Sequence, residues 1–474
     1  MTSMSSPDMV DLAAEAAATK KDAWDLGKGC ELRIEWSQAG AASSSAPPGD
    51  RSCHLKLVSG TAEVFGSELA VGQRVDVFGK NLACFTFHGA KLELEYGASV
   101  SPPTAYTVAA DETPMVQYAN LHAALQSKRD EGRKLGPSGG RTDTGPRCLI
   151  AGPVDVGKTT LTRILTNYAV RAGGTPLLVD LDMGQSMITV PGTVSAVLIE
   201  DVADVRRGEF NCDNPLTFFY GHANPSENMD LYKQTVERLA VVLDTFLSSN
   251  ANSIASSSGM FVNTMGWVDG QGYELLLHAI ECLKVDTVLV IGHDRLYNQL
   301  KNKFAFTKKN PAEEQAAESG MKVEIVKVAR SDGVVARDAS RRKAAREKKI
   351  HGYFYGPTRE LNPFSRSVQI SQVSVYRVGG GPMAPLSALP MGTANRDASD
   401  RTKVQKISVQ RDLTHSVLAV SHAKDPEDIL SSNVAGFIHV TEVDVQRGSM
   451  TYLSPSPTAL PSNILVAGTV KCFL

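Results

Sequence analysis

Between Cys30 and about Val108, apolar and polar residues alternate in short runs such as Glu31-Leu32-Arg33-Ile34-Glu35-Trp36, Leu55-Lys56-Leu57-Val58 and Leu92-Glu93-Leu94-Glu95-Tyr96. A period of two with Gly and Asn punctuation predicts the half-buried strands of a small all-β domain. Within it, Ser37 to Ser52 is a low-complexity stretch that reads as a hairpin insertion. A helical stretch follows near Val116 to Lys128. Ser127 to Arg147 then holds too few apolar residues to pack, so it reads as a linker.

From Arg147 the texture changes to continuous apolar runs separated by helical periods: Cys148 to Ala151, Leu177 to Asp182, Met260 to Thr264 and Thr287 to Gly292. Unbroken apolar runs are the mark of parallel strands buried on both faces, which predicts an α/β sheet covered by helices. After about Tyr355 the helical pattern stops. Runs such as Val368-Gln369-Ile370 and Gly436 to Val440 predict a third, mainly β module, interrupted by a loop from Gly379 to Lys403. The expected layout is a flexible tail over 1–23, an N-terminal β-sandwich-like domain over 24–112, a helix and linker over 113–147, an α/β domain with a parallel sheet over 148–355, and a C-terminal β-rich domain over 356–474.

Composition narrows the class. The 474 residues are 42 % hydrophobic and 21 % charged, which is globular and excludes disorder, collagen and coiled coil as whole-chain readings. A net charge of −2 provides no global basic field, so a polyanion would have to be gripped locally. The seven cysteines are scattered without a C-x-x-C pair, which argues against a disulfide scaffold or a zinc site and for a reducing compartment, the cytosol or nucleus. With no secretory pattern at the start and no run of about 18 apolar residues, the expectation is a soluble intracellular protein without a membrane partner.

The strongest chemical signal is Gly152-Pro153-Val154-Asp155-Val156-Gly157-Lys158-Thr159, a complete G-x-x-x-x-G-K-[ST] between an apolar strand and a helix. Leu161, Ile164, Leu165, Tyr168 and Ala169 mark one face of that helix. Glycines let backbone N–H groups curl around phosphate oxygens, the helix N-terminus adds positive potential, Lys158 reaches the β- and γ-phosphates, and the Thr159 hydroxyl ligates Mg²⁺. From average residue usage, a chance match somewhere in a chain of this length has a probability of about 2 %. On the next strand, Asp182 stands where a parallel sheet meets its ligand crevice, as a Mg²⁺ ligand or general base, with Asp180 as the alternative carboxylate. No N-K-x-D follows the later strand, which favours ATP over GTP.

Between Arg337 and Lys349 seven basic residues face two acidic ones, without Gly or Pro. If the stretch is helical, Arg342 and Arg346 share a face. A solvated helix face, a nuclear-import patch and a lid closing over transferring phosphates all fit. Trp267, in a Gly-rich loop after an apolar strand, is either a core plug or a platform for a stacked base. For His222 a structural role is the default.

These motifs resemble the polynucleotide 5′-hydroxyl kinase family of the Clp/Grc group, in its Clp branch of pre-mRNA cleavage complex II. The resemblance is carried by GPRCLIAGPVDVGKTT (Gly145 to Thr160), LDMGQ (Leu181 to Gln185), VPGTVSA (Val190 to Ala196), VNTMGWVDGQGY (Val262 to Tyr273), DRLYNQL (Asp294 to Leu300), YFYG (Tyr353 to Gly356) and VAGFIHVT (Val434 to Thr441), with AEVFGSEL and TPMVQYANLHAAL near the front. It implies a P-loop NTPase domain flanked by β domains, the first of them helping to hold the ATP base. It implies ATP contacts at Glu31, at Lys80 or Asn81, and at Gly152, Asp155, Val156, Gly157, Lys158, Thr159 and Thr160, with Mg²⁺ at Thr159 and Asp182. It implies Lys158, Asp182, Arg342 and Arg346 as catalytic residues, and Gln185 and Trp267 at the RNA. The expected function is ATP-dependent phosphorylation of an RNA 5′ end in nuclear mRNA cleavage and polyadenylation, and in tRNA processing, beside other subunits of that machinery. The alternative is a catalytically silent, ATP-bound scaffold.

Overall fold

The computed structural model describes residues 19–36, 52–97, 100–135, 145–251, 253–305, 322–379 and 401–474. The low-complexity stretch after Ser37, the loop after Gly379 and the start of the tail fall largely or wholly outside these residues. The chain divides into two compact units, residues 1–115 and 116–474.

The first unit is built from two antiparallel sheets. One orders strands Thr19–Leu26, Ala90–Gly97, Cys53–Gly60 and Arg74–Asp76; the other orders Ser67–Glu68, Glu63–Val64, Leu82–Phe85, Glu31–Glu35 and Thr104–Val108. The alternating leucines and isoleucine of the sequence pattern, Leu32, Ile34, Leu55, Leu57, Leu92 and Leu94, are all buried in it. One expectation changes. The first strand begins at Thr19, inside the stretch read as tail, because Thr19 to Leu26 pairs along its length with Ala90–Gly97. The hairpin expected after Ser37 lies outside the described residues, and the strands that flank it, Glu31–Glu35 and Cys53–Gly60, lie in different sheets.

In the second unit, helix α1 (Met115–Leu135) runs well into the segment read as linker. Two of its charged residues are clamps rather than solvated spacers. Arg129 is buried and donates to the Ser258 carbonyl at 2.9 Å, and Lys128 reaches Thr287 Oγ1 at 2.9 Å and Glu324 Oε2 at 2.8 Å. Strands β1 (Arg147–Ala151), β2 (Leu177–Asp180), β3 (Thr193–Leu198), β4 (Leu216–Phe219), β5 (Met260–Asn263), β6 (Thr287–Ile291) and β7 (Glu324–Val328) form one sheet in the order β4-β3-β2-β5-β1-β6-β7. The run from β2 to β7 is parallel, as the four apolar runs predicted, and β3 and β4 add an antiparallel edge.

Helix α2 (Lys158–Arg171) packs its predicted apolar face on β1 and β5, while α3 (Met229–Ser249) covers β3 and β4 and abuts α4 (Gln271–Cys282). Helix α5 (Asp294–Ala305) flanks β7, and α6 spans Ala339–Tyr355.

A seven-stranded, mostly antiparallel sheet from Phe364 to Lys471 follows, and it shares a hydrophobic core with the P-loop domain. Phe437 stacks against Phe219 and Tyr353, at centroid distances of 6.0 and 5.6 Å, and its N–H donates to the Tyr353 hydroxyl at 3.0 Å. His222 has the structural setting expected of it, with Nδ1 2.9 Å from Glu227 and 3.1 Å from Thr469.

The closest approach across this junction is backbone on backbone. A Cβ at Gly468 would drive into the Gly221 carbonyl, with no flexible side chain available to give way, while Gly352 in α6 faces open space. Gly468→Ala is expected to destabilise by about 1–3 kcal/mol, as other overpacking changes do. Gly352→Ala is expected to be neutral or to stabilise by up to about 1 kcal/mol. Urea midpoints of the two variants measure the contrast, which equal midpoints would refute.

Candidate nucleotide site

The site grows from the C-terminal end of β1, where the chain turns into α2. Gly152 has φ +155° and a Cβ there would lie 2.6 Å from the Ile291 carbonyl of β6, so the turn excludes every residue but glycine. Asp155 at φ 55° and Gly157 at φ 94° continue the left-handed curl that aims amide N–H groups inward and begins α2. Val156 is buried beneath the turn, and Thr159 and Thr160, both half-buried, lie in the first turn of the helix.

Lys158 is buried and its Nζ donates to the Pro153 carbonyl at 2.7 Å, which leaves two ammonium protons for a ligand. Burial pushes its pKa down to about 8, opposed by Asp182 and Asp155.

Asp180 and Asp182 divide the labour that the sequence left open between them. Asp180 is sealed at the end of β2: Oδ1 accepts from Asn263 Nδ2 at 2.9 Å and from the Asp182 N–H at 3.2 Å, and Oδ2 accepts from the Met187 N–H at 2.6 Å. Its carboxyl is pushed up to about 7, by burial first and by Asp182 second. Asp182 uses Oδ1 to accept the N–H groups of Gly184 and Gln185, each at 3.0 Å, while Oδ2 accepts no hydrogen bond from a described residue. Burial raises the Asp182 pKa above the ordinary carboxylate range, and Lys158 with those two amides holds it back. The Thr159 hydroxyl and Asp182 Oδ2 are hard oxygen donors of the kind Mg²⁺ takes, so the residues fit that ion.

The basic stretch is helix α6, capped by Asp338, whose side chain accepts the Arg341 N–H at 2.7 Å. Its start is fastened to the phosphate loop: Asp155 Oδ2 accepts Arg342 NH2 at 2.6 Å and the Arg337 N–H at 2.9 Å. Gln185 Nε2 donates to the Arg342 carbonyl at 3.3 Å, and Lys349 Nζ to that of Met187 at 3.0 Å, so the loop after Asp182 is tied to the same helix. Arg346, one turn beyond Arg342, is half-buried, and Lys343 and Lys348 are exposed. Trp267 is half-buried against the core, its ring packed where a Cβ at Gly272 would lie 2.5 Å from Cγ. The neighbouring Gly266 abuts Val154 of the phosphate loop.

Lys158, Thr159, Asp182, Gln185, Arg342 and the turn before Trp267 are thus linked around one loop. Glu31, Lys80 and Asn81 belong to the first unit, where each is engaged. Glu31 accepts from Arg33 at 2.6 Å and Thr113 at 2.9 Å, Lys80 pairs with Asp76 at 3.0 Å, and Asn81 accepts the Trp36 N–H at 2.9 Å. Sequence reasoning missed Asn263 as the partner of Asp180 and the role of Asp155 as the anchor of α6. Asn263 lay within the quoted VNTMGW segment, but spacing alone did not bring it to β2.

The glycine-bound turn, the buried lysine and the strand-end carboxylates define a P-loop nucleotide-binding domain set between β modules. Residues 152–356 match the family described as mRNA cleavage and polyadenylation factor CLP1 P-loop, residues 361–472 match pre-mRNA cleavage complex II protein Clp1, and residues 25–132 match the N-terminal beta-sandwich domain of polyadenylation factor. The chain belongs to the Clp1 family.

It is 43 % identical to a protein CLP1 homolog of Arabidopsis thaliana, over 94 % of this chain and 93 % of the relative. It is 38 % identical to the polyribonucleotide 5′-hydroxyl-kinase Clp1 of Rattus norvegicus, over 89 % of this chain and 92 % of the relative. The fold matches a chain in the solved wild-type Clp1p–Pcf11p complex with a TM-score of 0.74 at 22 % identity, over 96 % of this chain and 98 % of that one.

Nucleotide affinity is expected to fall as pH rises through about 8. Phosphate needs the charged ammonium, and the empty site holds that proton only up to about pH 8. Above this, each nucleotide bound takes up a proton, weakening affinity by up to about tenfold per pH unit. Titration of a fluorescent ATP analogue at about pH 7 and about pH 9 reads the slope. A flat profile, or an equal slope in Lys158→Arg, would contradict it.

Proposed function

We propose that the protein is an ATP-dependent RNA 5′-hydroxyl kinase acting in the nucleus with other subunits of the mRNA cleavage and polyadenylation machinery, and on RNA ends from tRNA processing. The observation that carries this reading is Asp182: a carboxylate made more basic by burial, beside Lys158, with one oxygen open. The names of the mammalian relatives as polyribonucleotide 5′-hydroxyl-kinases support it.

In the proposed reaction the RNA 5′-oxygen bonds to the γ-phosphorus as the bond to the β,γ-bridging oxygen breaks, releasing ADP, and the hydroxyl proton passes to Asp182. Lys158 and the amides of the glycine-bound turn hold the phosphates in line. Arg342 and Arg346 carry charge to the transferring group, with Arg342 exchanging Asp155 for phosphate. Mg²⁺ held by Thr159 would neutralise charge on the phosphate oxygens, leaving the open oxygen of Asp182 for the hydroxyl proton. Trp267 offers its ring to the terminal base and Gln185 a side-chain amide to the RNA.

The Asp155–Arg342 ion pair favours a second reading. A lid arginine already paired at 2.6 Å suits a closed, silent site that keeps ATP as a structural group in a scaffold subunit. Phosphate transfer from labelled ATP to 5′-hydroxyl RNA separates the two. The kinase reading expects transfer that Lys158→Ala abolishes. Transfer no greater than that of Lys158→Ala, with slowly exchanging bound ATP, would establish the scaffold.

Asp182→Asn is expected to lower kcat by about 10²–10⁴, the usual size of a lost general base, while ATP affinity measured without RNA stays within a few-fold. Trp267→Ala is expected to raise KM for RNA by the equivalent of about 1–3 kcal/mol with kcat for saturating RNA little changed. Steady-state kinetics test both.

A further inference from the structure

Away from the nucleotide site, helices α3 and α4 bring together Glu237, His278 and Cys282, whose ligating atoms all lie within 4.8 Å of one another. His278 and Cys282 are four residues apart on α4 and therefore share one helix face. Glu237 comes from α3, which packs beside it.

His278 Nε2 lies 3.5 Å from Cys282 Sγ and 3.4 Å from Glu237 Oε1. A tetrahedral ion with Zn–N and Zn–O of about 2.0–2.1 Å and Zn–S of about 2.3 Å has N···S and N···O edges of roughly 3.3–3.6 Å. The two edges at His278 therefore match a tetrahedral shell, and the ligating atoms of Glu237 and Cys282 lie within 4.8 Å of each other.

We propose that Glu237, His278 and Cys282 form a zinc-binding site that clamps α3 to α4. Sulfur, imidazole nitrogen and carboxylate oxygen together suit a borderline-soft ion and not Mg²⁺ or Ca²⁺, which take oxygen shells. Three protein ligands leave the fourth tetrahedral position to water. His278 Nε2 also lies 3.2 Å from the Lys233 carbonyl. A metal on Nε2 displaces any proton given to that carbonyl, and this exchange sets the cost of loading the site.

The scarcity of paired cysteines had argued against zinc. Closely spaced cysteines mark zinc sites built along the chain, whereas this one draws on two helices whose ligands are separated by more than a whole strand and loop. It lies on α3 and α4, away from the phosphate loop, so its occupancy and the kinase reading can fail independently.

The test is metal binding by the full-length protein stripped with chelator. Added Co²⁺ is expected to give one equivalent of binding with a near-ultraviolet thiolate-to-cobalt absorption band, which Zn²⁺ bleaches. Zn²⁺ alone is expected to raise Tm. Cys282→Ser should abolish the band, and His278→Ala should weaken Zn²⁺ affinity by roughly tenfold or more, with nucleotide affinity unchanged in both. No thiolate band in the wild type, a band that survives Cys282→Ser, or equal Zn²⁺ affinity in His278→Ala would each overturn the proposal. The wild-type measurement decides even if a variant fails to fold.

Discussion

Keeping an ammonium buried in a phosphate site before any phosphate arrives is unfavourable, and the arrangement around Lys158 limits that cost. Its pKa falls only to about 8 because Asp155 and Asp182 stand close enough to offset part of the lost hydration, and the Pro153 carbonyl takes one of its protons. The same two carboxylates organise the rest of the site. Asp155 holds the start of α6 through Arg337 and Arg342, and Asp182 holds the turn whose Gln185 reaches back to that helix. Entry of a polyanion would alter every one of these contacts, because each is an electrostatic partner of the charge being matched.

Beneath this surface the support is packing. At the end of β2, burial and the neighbouring Asp182 raise the Asp180 pKa, and three accepted hydrogen bonds, one of them from Asn263 on the adjacent β5, hold that rise back. The C-terminal sheet does not sit apart from the P-loop domain: its Phe437 and the Gly468 backbone are pressed against Phe219, Tyr353 and Gly221, within one core. Rigidity reaches the end of α6 from that side, through the Tyr353 hydroxyl. The basic helix is thus held by an aromatic core at one end and, at the other, by the contacts of Asp155 with Arg337 and Arg342 and of Gln185 with the Arg342 carbonyl.

Residues that interact with their sequence neighbours were legible in advance. The period-two leucines of the first unit, the apolar face of α2 and the glycine-bounded phosphate loop each follow from local backbone preference and burial of one face, and all stand where the pattern put them. The errors came where charge was read as solvation. Lys128 and Arg129 look like linker residues until Ser258, Thr287 and Glu324, more than a hundred positions away, supply their partners.

The amino-acid sequence by itself thus determined the elements, the phosphate loop and its lysine, and the family resemblance, because short-range sterics and periodic burial act over a few residues. Only the tertiary structure decided which carboxylate is sealed and which is open, that Asp155 anchors Arg342, and that a histidine, a cysteine and a glutamate meet between two helices. Those outcomes depend on strand order and helix packing, and a hydrogen bond or ion pair of about 3 Å between distant positions has no signature along the chain until the core has brought its ends together.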